Sequence, residues 1–378
     1  MTVTLSELLS LAARGRASDL HITADAPPLM RVDGDLIVIP QQPDPLDAIW
    51  VREAAHSLMS DGQRDEFVRR HEVDLAHHEP GIGRLRVNVF RQLGAIAMAL
   101  RFIPGKVFTL DELGAPQIAQ DLALRPRGLV LVTGPTGSGK STTLTAMVDI
   151  INSIRPVHIV TIEDPIEFHH NSRRALIHQR EVGSDTNSFA EALRRVLRQD
   201  PDVILVGELR DPESISTALS AAETGHLVLS TLHTQGASKS INRIIDAFPA
   251  DRQDQIRSQL GDTLQGIISQ SLLPRAQHAG RTIATEVLIN TPAVANLIRE
   301  GQVAQLYSAM QAGAAEGMHT LDQDLRRLVG AGTVAAHVAR TFAVDPASLD
   351  NVHVQPADLD ADSWSHYAVD RQLTEWGS

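Results

Sequence analysis

Three observations predict an α/β chain of two domains. Apolar strand-like runs alternate with helix-like stretches from about residue 121 onward, the pattern of a mainly parallel sheet with flanking helices. A strand-rich α/β stretch precedes them, and the length of 378 residues exceeds the usual single-domain range. The expected organisation is an N-terminal α/β domain over 1–103, a linker over 104–120, a second domain over 121–344 and a tail over 345–378.

In the N-terminal domain, Leu5–Ala13 reads as a short amphipathic helix and Ser18-Asp19-Leu20-His21-Ile22 begins a strand. Pro27 and Pro28 punctuate before the strand Leu29–Val32, and Asp33-Gly34 is a tight-turn signal between two strands. Pro45 to His71 reads as helical. Val73–Ala76, Gly83–Phe90 and Ala95–Ile103 read as successive strands, closed by Pro104-Gly105.

In the second domain the expected core strands are Gly128–Thr133, Val157–Ile162, Val203–Val206 and Leu227–Leu232. Asp211-Pro212 starts a helix as N-cap followed by proline at the first helical position. Beyond 235 the chain reads as mostly helical, with one apolar strand over Thr282–Ile289. The tail holds seven acidic residues and one basic, Arg371, which supplies six of the twelve net negative charges, and it carries Trp364 and Trp376. It reads as a solvated tail or as an acidic docking segment.

Composition sets limits. Cysteine is absent, which removes disulfides, thiolate catalysis and cysteine zinc sites and fits a reducing compartment. No run approaches ~20 uninterrupted apolar residues, so no membrane span is expected, and Met1–Leu11 lacks an export signal. A net charge of −12 argues against non-specific binding to nucleic acid.

Chemistry concentrates in four segments. Gly134-Pro135-Thr136-Gly137-Ser138-Gly139-Lys140-Ser141-Thr142 follows a strand and opens a helix running to about Asn152, the context of a phosphate-binding loop. Glycines let backbone N–H groups wrap phosphate oxygens, and the helix N-terminus adds favourable partial charge. The pattern assigns a nucleoside triphosphate as ligand, Lys140 to its β/γ-phosphates and the Ser141 hydroxyl to Mg²⁺. Asp202–Glu208 is an apolar strand ending in an acid, which makes Glu208 a Mg²⁺ ligand, directly or through water. Glu163, Asp164 and Glu167 follow the preceding strand, and one of them can act as general base toward the attacking water; spacing does not rank Glu163 against Glu167. His226 and His233 bracket the strand Leu227–Leu232, for a structural, phosphate-sensing or coupling role.

These blocks in this order resemble the secretion-ATPase superfamily of RecA-like motors, where they are called Walker A, Asp box, Walker B and His box. Ala17–His21, Pro28–Gly34 and Arg84-Leu85-Arg86-Val87-Asn88 resemble the N-terminal domain of PilT-type pilus retraction ATPases, and Pro292–Gly301 and Gly317–Asp322 their C-terminal signatures. The resemblance implies a PAS-like N-terminal domain, a RecA-like ATPase domain and a homohexamer that hydrolyses ATP with Mg²⁺ to power type IV pilus retraction. It implies Glu167 as the Asp-box glutamate, Arg84 and Arg86 as arginine fingers and Arg101 as a further phosphate contact. It also implies a cytoplasmic protein peripheral to the inner membrane, acting on a PilC-like platform protein beside a PilU-like or PilB-like paralogue, with no specific nucleic acid. Ala295 and Gln302 depart from the usual arginine and lysine of the retraction signature. A secretion or DNA-uptake traffic ATPase, and more remotely a nucleic-acid translocase, are the alternatives; the missing tetracysteine site favours retraction.

Overall fold

The computed structural model describes residues 3–32, 34–103, 107–277, 280–350 and 352. Asp33 of the expected turn, Pro104-Gly105 and the tail's Asp358, Asp360, Asp362, Asp370, Glu375, Trp364 and Trp376 lie outside the described residues. By its contacts the chain divides into two units with interleaved segments. One is Met1–Thr109, Ala123–Leu129 and Ser141–Thr231; the other is Leu110–Leu122, Val130–Lys140 and Leu232–Ser378.

The first unit holds a six-stranded antiparallel sheet of β1 (Asp19–Thr23), β2 (Leu29–Val32), β3 (Asp35–Val38), β4 (Glu72–Glu79), β5 (Gly83–Gln92) and β6 (Ala95–Phe102), in the order β3-β2-β1-β6-β5-β4. The alternation of β5 decides its role. Leu85, Val87 and Val89 are buried, which turns Arg84 and Arg86 to the opposite face. The helix Leu5–Arg14 starts at a capping box of Thr4 and Glu7 and buries Leu8, Leu9 and Ala12. The helix expected over 45–71 is instead two, Ala48–Leu58 and Asp61–Arg70. Extended backbone at Met59 and Ser60 ends the first, and a second capping box, Ser60 with Gln63, starts the next. Periodicity ran across that break because both helices bury a face in one core.

The same unit holds β8 (His158–Glu163), β9 (Leu176–Glu181), β10 (Val203–Val206) and most of β11 (Leu227–Leu232), parallel in the order β11-β10-β8-β9. All four residues of β10 and all six of β11 are buried, the continuous apolar run of a covered parallel strand. β7 (Gly128–Thr133) precedes them in the chain and is likewise buried throughout. Asp211 caps the helix Pro212–Glu223 as the sequence predicts.

In the second unit β7 contributes Val130–Thr133, beside β12 (Leu264–Pro274) and β13 (Arg281–Ile289) in the order β13-β12-β7. β12 and β13 pair antiparallel from Gly266↔Ile289 to Pro274↔Arg281. Only β13 is expected from the sequence; β12 falls in the stretch read as mostly helical, because the Gly, Ser and Gln residues within it interrupt the apolar run of a strand. Inside the expected linker the chain forms the short helix Leu110–Leu113, and the helix Ile118–Ala123 begins at its end. The first residues of the tail are docked: Asp322 accepts from Val344 N and Asp345 N at 2.8 and 3.0 Å, and Leu349 is buried against Leu325, Leu328 and Val329.

Candidate active site

The segment from β7 into the helix Lys140–Ile154 is a tight glycine loop. Gly134, Gly137 and Gly139 adopt φ of 143°, 79° and 87°, a region that side chains resist. At Gly134 the constraint is also spatial: a Cβ would stand 2.2 Å from Gln270 O and 2.6 Å from Ser138 Oγ. The buried Lys140 folds along the loop, Nζ donating to Gly134 O at 2.9 Å and Pro135 O at 3.0 Å. Ser138 Oγ is buried with no hydrogen-bond partner. Such an orphaned hydroxyl is costly unless a ligand satisfies it. Pro135 and Thr136 form the loop's outer turn, and Thr136 Oγ1 lies 3.4 Å from His233 Nδ1. Ser141 is exposed in the first turn of the helix, followed by half-buried Thr142.

His233 therefore sits at the loop, whereas His226 precedes the amino end of β11. There His226 O accepts from Gly128 N at 3.0 Å, and Nδ1 lies 3.0 Å from Ala221 O.

The carboxylates gather in the first unit. Val206 pairs with Ile162, so Glu163 ends β8 and Glu208 lies two residues past the end of the neighbouring parallel strand β10. Glu163 Oε1 accepts from Thr161 Oγ1 at 2.6 Å and Gln179 Nε2 at 3.3 Å. Burial pushes its pKa up, and the nearby Glu167 charge pushes the same way, against the lowering by those two hydrogen bonds. Glu208 Oε2 accepts from Arg210 Nε at 2.7 Å. Among the described residues no three His, Cys, Asp or Glu side chains group as a closed metal cage. A single carboxylate with a hydroxyl suits Mg²⁺, which keeps waters and leans on substrate phosphates.

The arginines have partners of their own. Arg84 bonds Glu181 through Nη2 and lies 2.9 Å from His169 Nε2 through Nη1. Arg86 is exposed, 3.9 Å from Asp74, and stands opposite Arg101 in the β5–β6 register. Arg101 Nε donates to Asp19 Oδ1 at 2.8 Å. Burial raises the Asp19 pKa, but the Arg101 and Ser18 hydrogen bonds together hold it below its usual value. A cleft of about 250 Å³ opens beside Arg84, Arg86, Asp164, Ile166, Glu181 and Ser184. Thus Arg84 meets the acidic loop after β8, while Arg101 is tied elsewhere. Sequence reasoning missed Glu181, His169, Gln179 and Gln270. The first three lie on or beside β9, a strand whose polar composition, Leu-Ile-His-Gln-Arg-Glu, carries no apolar run.

Comparison with known proteins identifies the family. Residues 84–341 match the family model described as type II/IV secretion system protein. The chain is 50% identical over 347 residues to the type IV pilus retraction ATPase PilT of Pseudomonas aeruginosa, covering 91% of this chain and 99% of that protein. It is 50% identical to a twitching motility protein of Neisseria gonorrhoeae, over 85% of this chain and 86% of the other. A crystal structure of the pilus retraction motor PilT with bound ADP superimposes with a TM-score of 0.86 at 45% identity, covering 92% of this chain and 98% of that one. The chain belongs to the type II/IV secretion system protein family, on its PilT-type branch.

Proposed function

We propose that this protein is an ATP-hydrolysing motor that powers type IV pilus retraction. The observation that carries the reading is the constrained glycine loop with its buried, partnerless Ser138 hydroxyl, in a chain half identical to a pilus retraction ATPase along nearly its whole length. In the same chain, the paired parallel strands β8 and β10 both lead into acidic residues, Glu163 and Glu208.

The residues divide the work as follows. Backbone N–H groups of Gly134–Gly139 and the Lys140 ammonium hold the phosphates of ATP, and the helix N-terminus adds to the attraction. Ser141 Oγ and Glu208 would hold Mg²⁺, which when bound would supply charge neutralisation at the phosphates. Glu167 or Glu163 takes a proton from the attacking water; the raised pKa of Glu163 moves it toward the working pH of a general base. Arg84 and Arg86 supply guanidinium charge to the γ-phosphate, and for Arg84 this means exchanging its Glu181 partner. His233 touches the loop through Thr136 and fits a phosphate-responsive role; His226, at the far end of β11, fits a structural one.

The reading extends to organisation. The chain works as a homohexamer with an N-terminal PAS-like domain over 1–103 and an ATPase domain over 121–344. It acts at the cytoplasmic face of the inner membrane on a PilC-like platform protein, beside a PilU-like or PilB-like paralogue. Among the described residues no helix is long and apolar enough to cross a membrane, which fits peripheral attachment.

Imaging of labelled pili in cells carrying Glu167→Gln and, separately, Lys140→Ala tests the function. Pili that extend and stop shortening support it. Normal shortening in both strains removes it.

A further inference from the structure

The phosphate loop is held from one side by a single residue of the antiparallel hairpin. Gln270, on β12 and 1% exposed, donates from Nε2 to Ser138 O at 2.7 Å. Its backbone carbonyl is the atom that a Cβ at Gly134 would strike at 2.2 Å, and its Nε2 lies 3.2 Å from where a Cβ of Gly139 would stand. Two of the loop's three positive-φ glycines therefore pack on Gln270, while a Cβ at Gly137 would meet nothing within 4 Å.

Gln270 is itself braced. In the β12–β13 register Ser269 faces Glu286 and Gln270 faces Thr285, and all four are buried in strands otherwise dominated by apolar residues. Thr285 N donates to Asp324 Oδ2 at 2.8 Å, and Thr285 Oγ1 lies 2.9 Å from His319 Nε2. Ser269 Oγ accepts from Gly236 N at 2.8 Å and Glu286 Oε1 from Ala237 N at 2.6 Å, just beyond His233. A buried polar row with its members satisfied is rigid and specifies one arrangement.

We propose that Gln270 is a positioning residue for nucleotide binding, setting the direction of the Ser138–Gly139 peptide so that the loop is shaped for phosphate before ligand arrives. The physical step is peptide planarity. In a trans peptide the N–H points opposite to the C=O, so drawing Ser138 O toward β12 turns Gly139 N–H away from β12, where a phosphate oxygen can accept it. Without the Gln270 donor the Ser138–Gly139 peptide loses this restraint, and its N–H must be oriented at the expense of binding energy. The inference rests on the nucleotide-site reading above.

The test uses the full chain with ADP as probe. Gln270→Met keeps length and approximate volume and removes the donor. The expected result is an ADP Kd weakened about tenfold, equivalent to about 1.4 kcal/mol, with KM for ATP raised in parallel and kcat changed less than about threefold. The thermal shift given by saturating ADP should shrink accordingly. Gln270→Glu gives an independent arm: the introduced carboxyl donates to Ser138 O only when protonated, so ADP binding should be weak at alkaline pH and recover as pH falls, against a flat wild-type profile. A residue with only a structural role lowers the melting temperature equally with and without ADP. Unchanged ADP affinity in Gln270→Met, together with no pH-dependent recovery in Gln270→Glu, overturns the inference. Lys140→Ala separates the two claims: if it loses ADP while Gln270→Met does not, the site reading stands and the positioning role falls. Failure of the wild-type protein to bind ADP would overturn both.

Discussion

Arg84 and Glu181 are bound to each other, and the Glu181 oxygen that receives Arg84 Nη2 also accepts Ile166 N at 3.0 Å. One carboxylate oxygen thus joins β5, which carries the arginines, to the loop that carries Asp164 and Glu167. Both side chains are largely buried, at 17% and 10% exposure. Removing one partner of such a pair strands the other.

Glu181→Ala is therefore expected to cost about 3 kcal/mol of stability, from an unpaired Arg84 and an unsatisfied Ile166 N–H. Adding Arg84→Ala should cost less than the sum of the single changes by about 1 kcal/mol or more. Urea unfolding of the three variants measures the coupling; strict additivity would show that the contact contributes nothing.

Lys140→Ala should abolish nucleotide binding without unfolding the chain. Its ammonium bonds two loop carbonyls, and those carbonyls face water or ligand once the side chain is cut. Calorimetric titration with ATP is the measurement. Wild-type affinity would mean that the loop assignment is mistaken.

Glu163 carries a testable pH signature. Its folded pKa lies above the unfolded value, so the folded protein binds the extra proton. That contribution to stability is present in full below the ordinary carboxyl value of 4.5 and fades as pH rises through the folded pKa. Glu163→Gln should accordingly stabilise the protein at pH 8, with the gain vanishing toward pH 4. Turnover separates the two glutamates: the one acting as base should lose roughly two orders of magnitude or more on conversion to glutamine, with ATP still bound. Comparable turnover in Glu163→Gln and Glu167→Gln, both near wild type, would exclude proton abstraction by either.

His170 has the opposite sign. Burial, against the raising charge of Asp149 and with smaller lowering effects of Arg173 and His169, pulls its pKa from 6.5 to about 4. The unfolded chain binds this proton more readily, so stability should fall as pH drops from about 6.5 toward 4, by on the order of 3 kcal/mol in total. His170→Gln should flatten that part of the stability profile. An unchanged acid slope in the variant would place the loss elsewhere.

The phosphate loop, β8, β10 and β11 were legible because their signals are local. A glycine loop between an apolar run and a helix, or an apolar run ending in an acid, needs no distant partner to be recognised. β9 and β12 were not legible for the converse reason. In β9, His178, Gln179 and Arg180 take side-chain partners outside their own strand, and in β12 Ser269 and Gln270 are satisfied by Gly236 N and Ser138 O. Polar residues satisfied at long range break the apolar run by which a buried strand is recognised in the sequence. The single helix read over 45–71 failed at Ser60 for a local reason, the capping box that restarts the chain there.

Residue type and short-range spacing alone specified the loop from Gly134 to Thr142 and the acids at or just past the ends of β8 and β10. These follow from glycine's backbone freedom and from an apolar run that ends in an acid, signals that act over a few positions. Only the tertiary structure settled that Arg84 is engaged by Glu181, that His233 rather than His226 stands at the loop, and that Gln270 braces it from β12. Those relations join residues 97, 97 and 132 positions apart in the cases of Arg84 with Glu181, His233 with Thr136, and Gln270 with Ser138. Hydrogen bonds of this kind depend on where folded strands come to lie, and no local propensity encodes that.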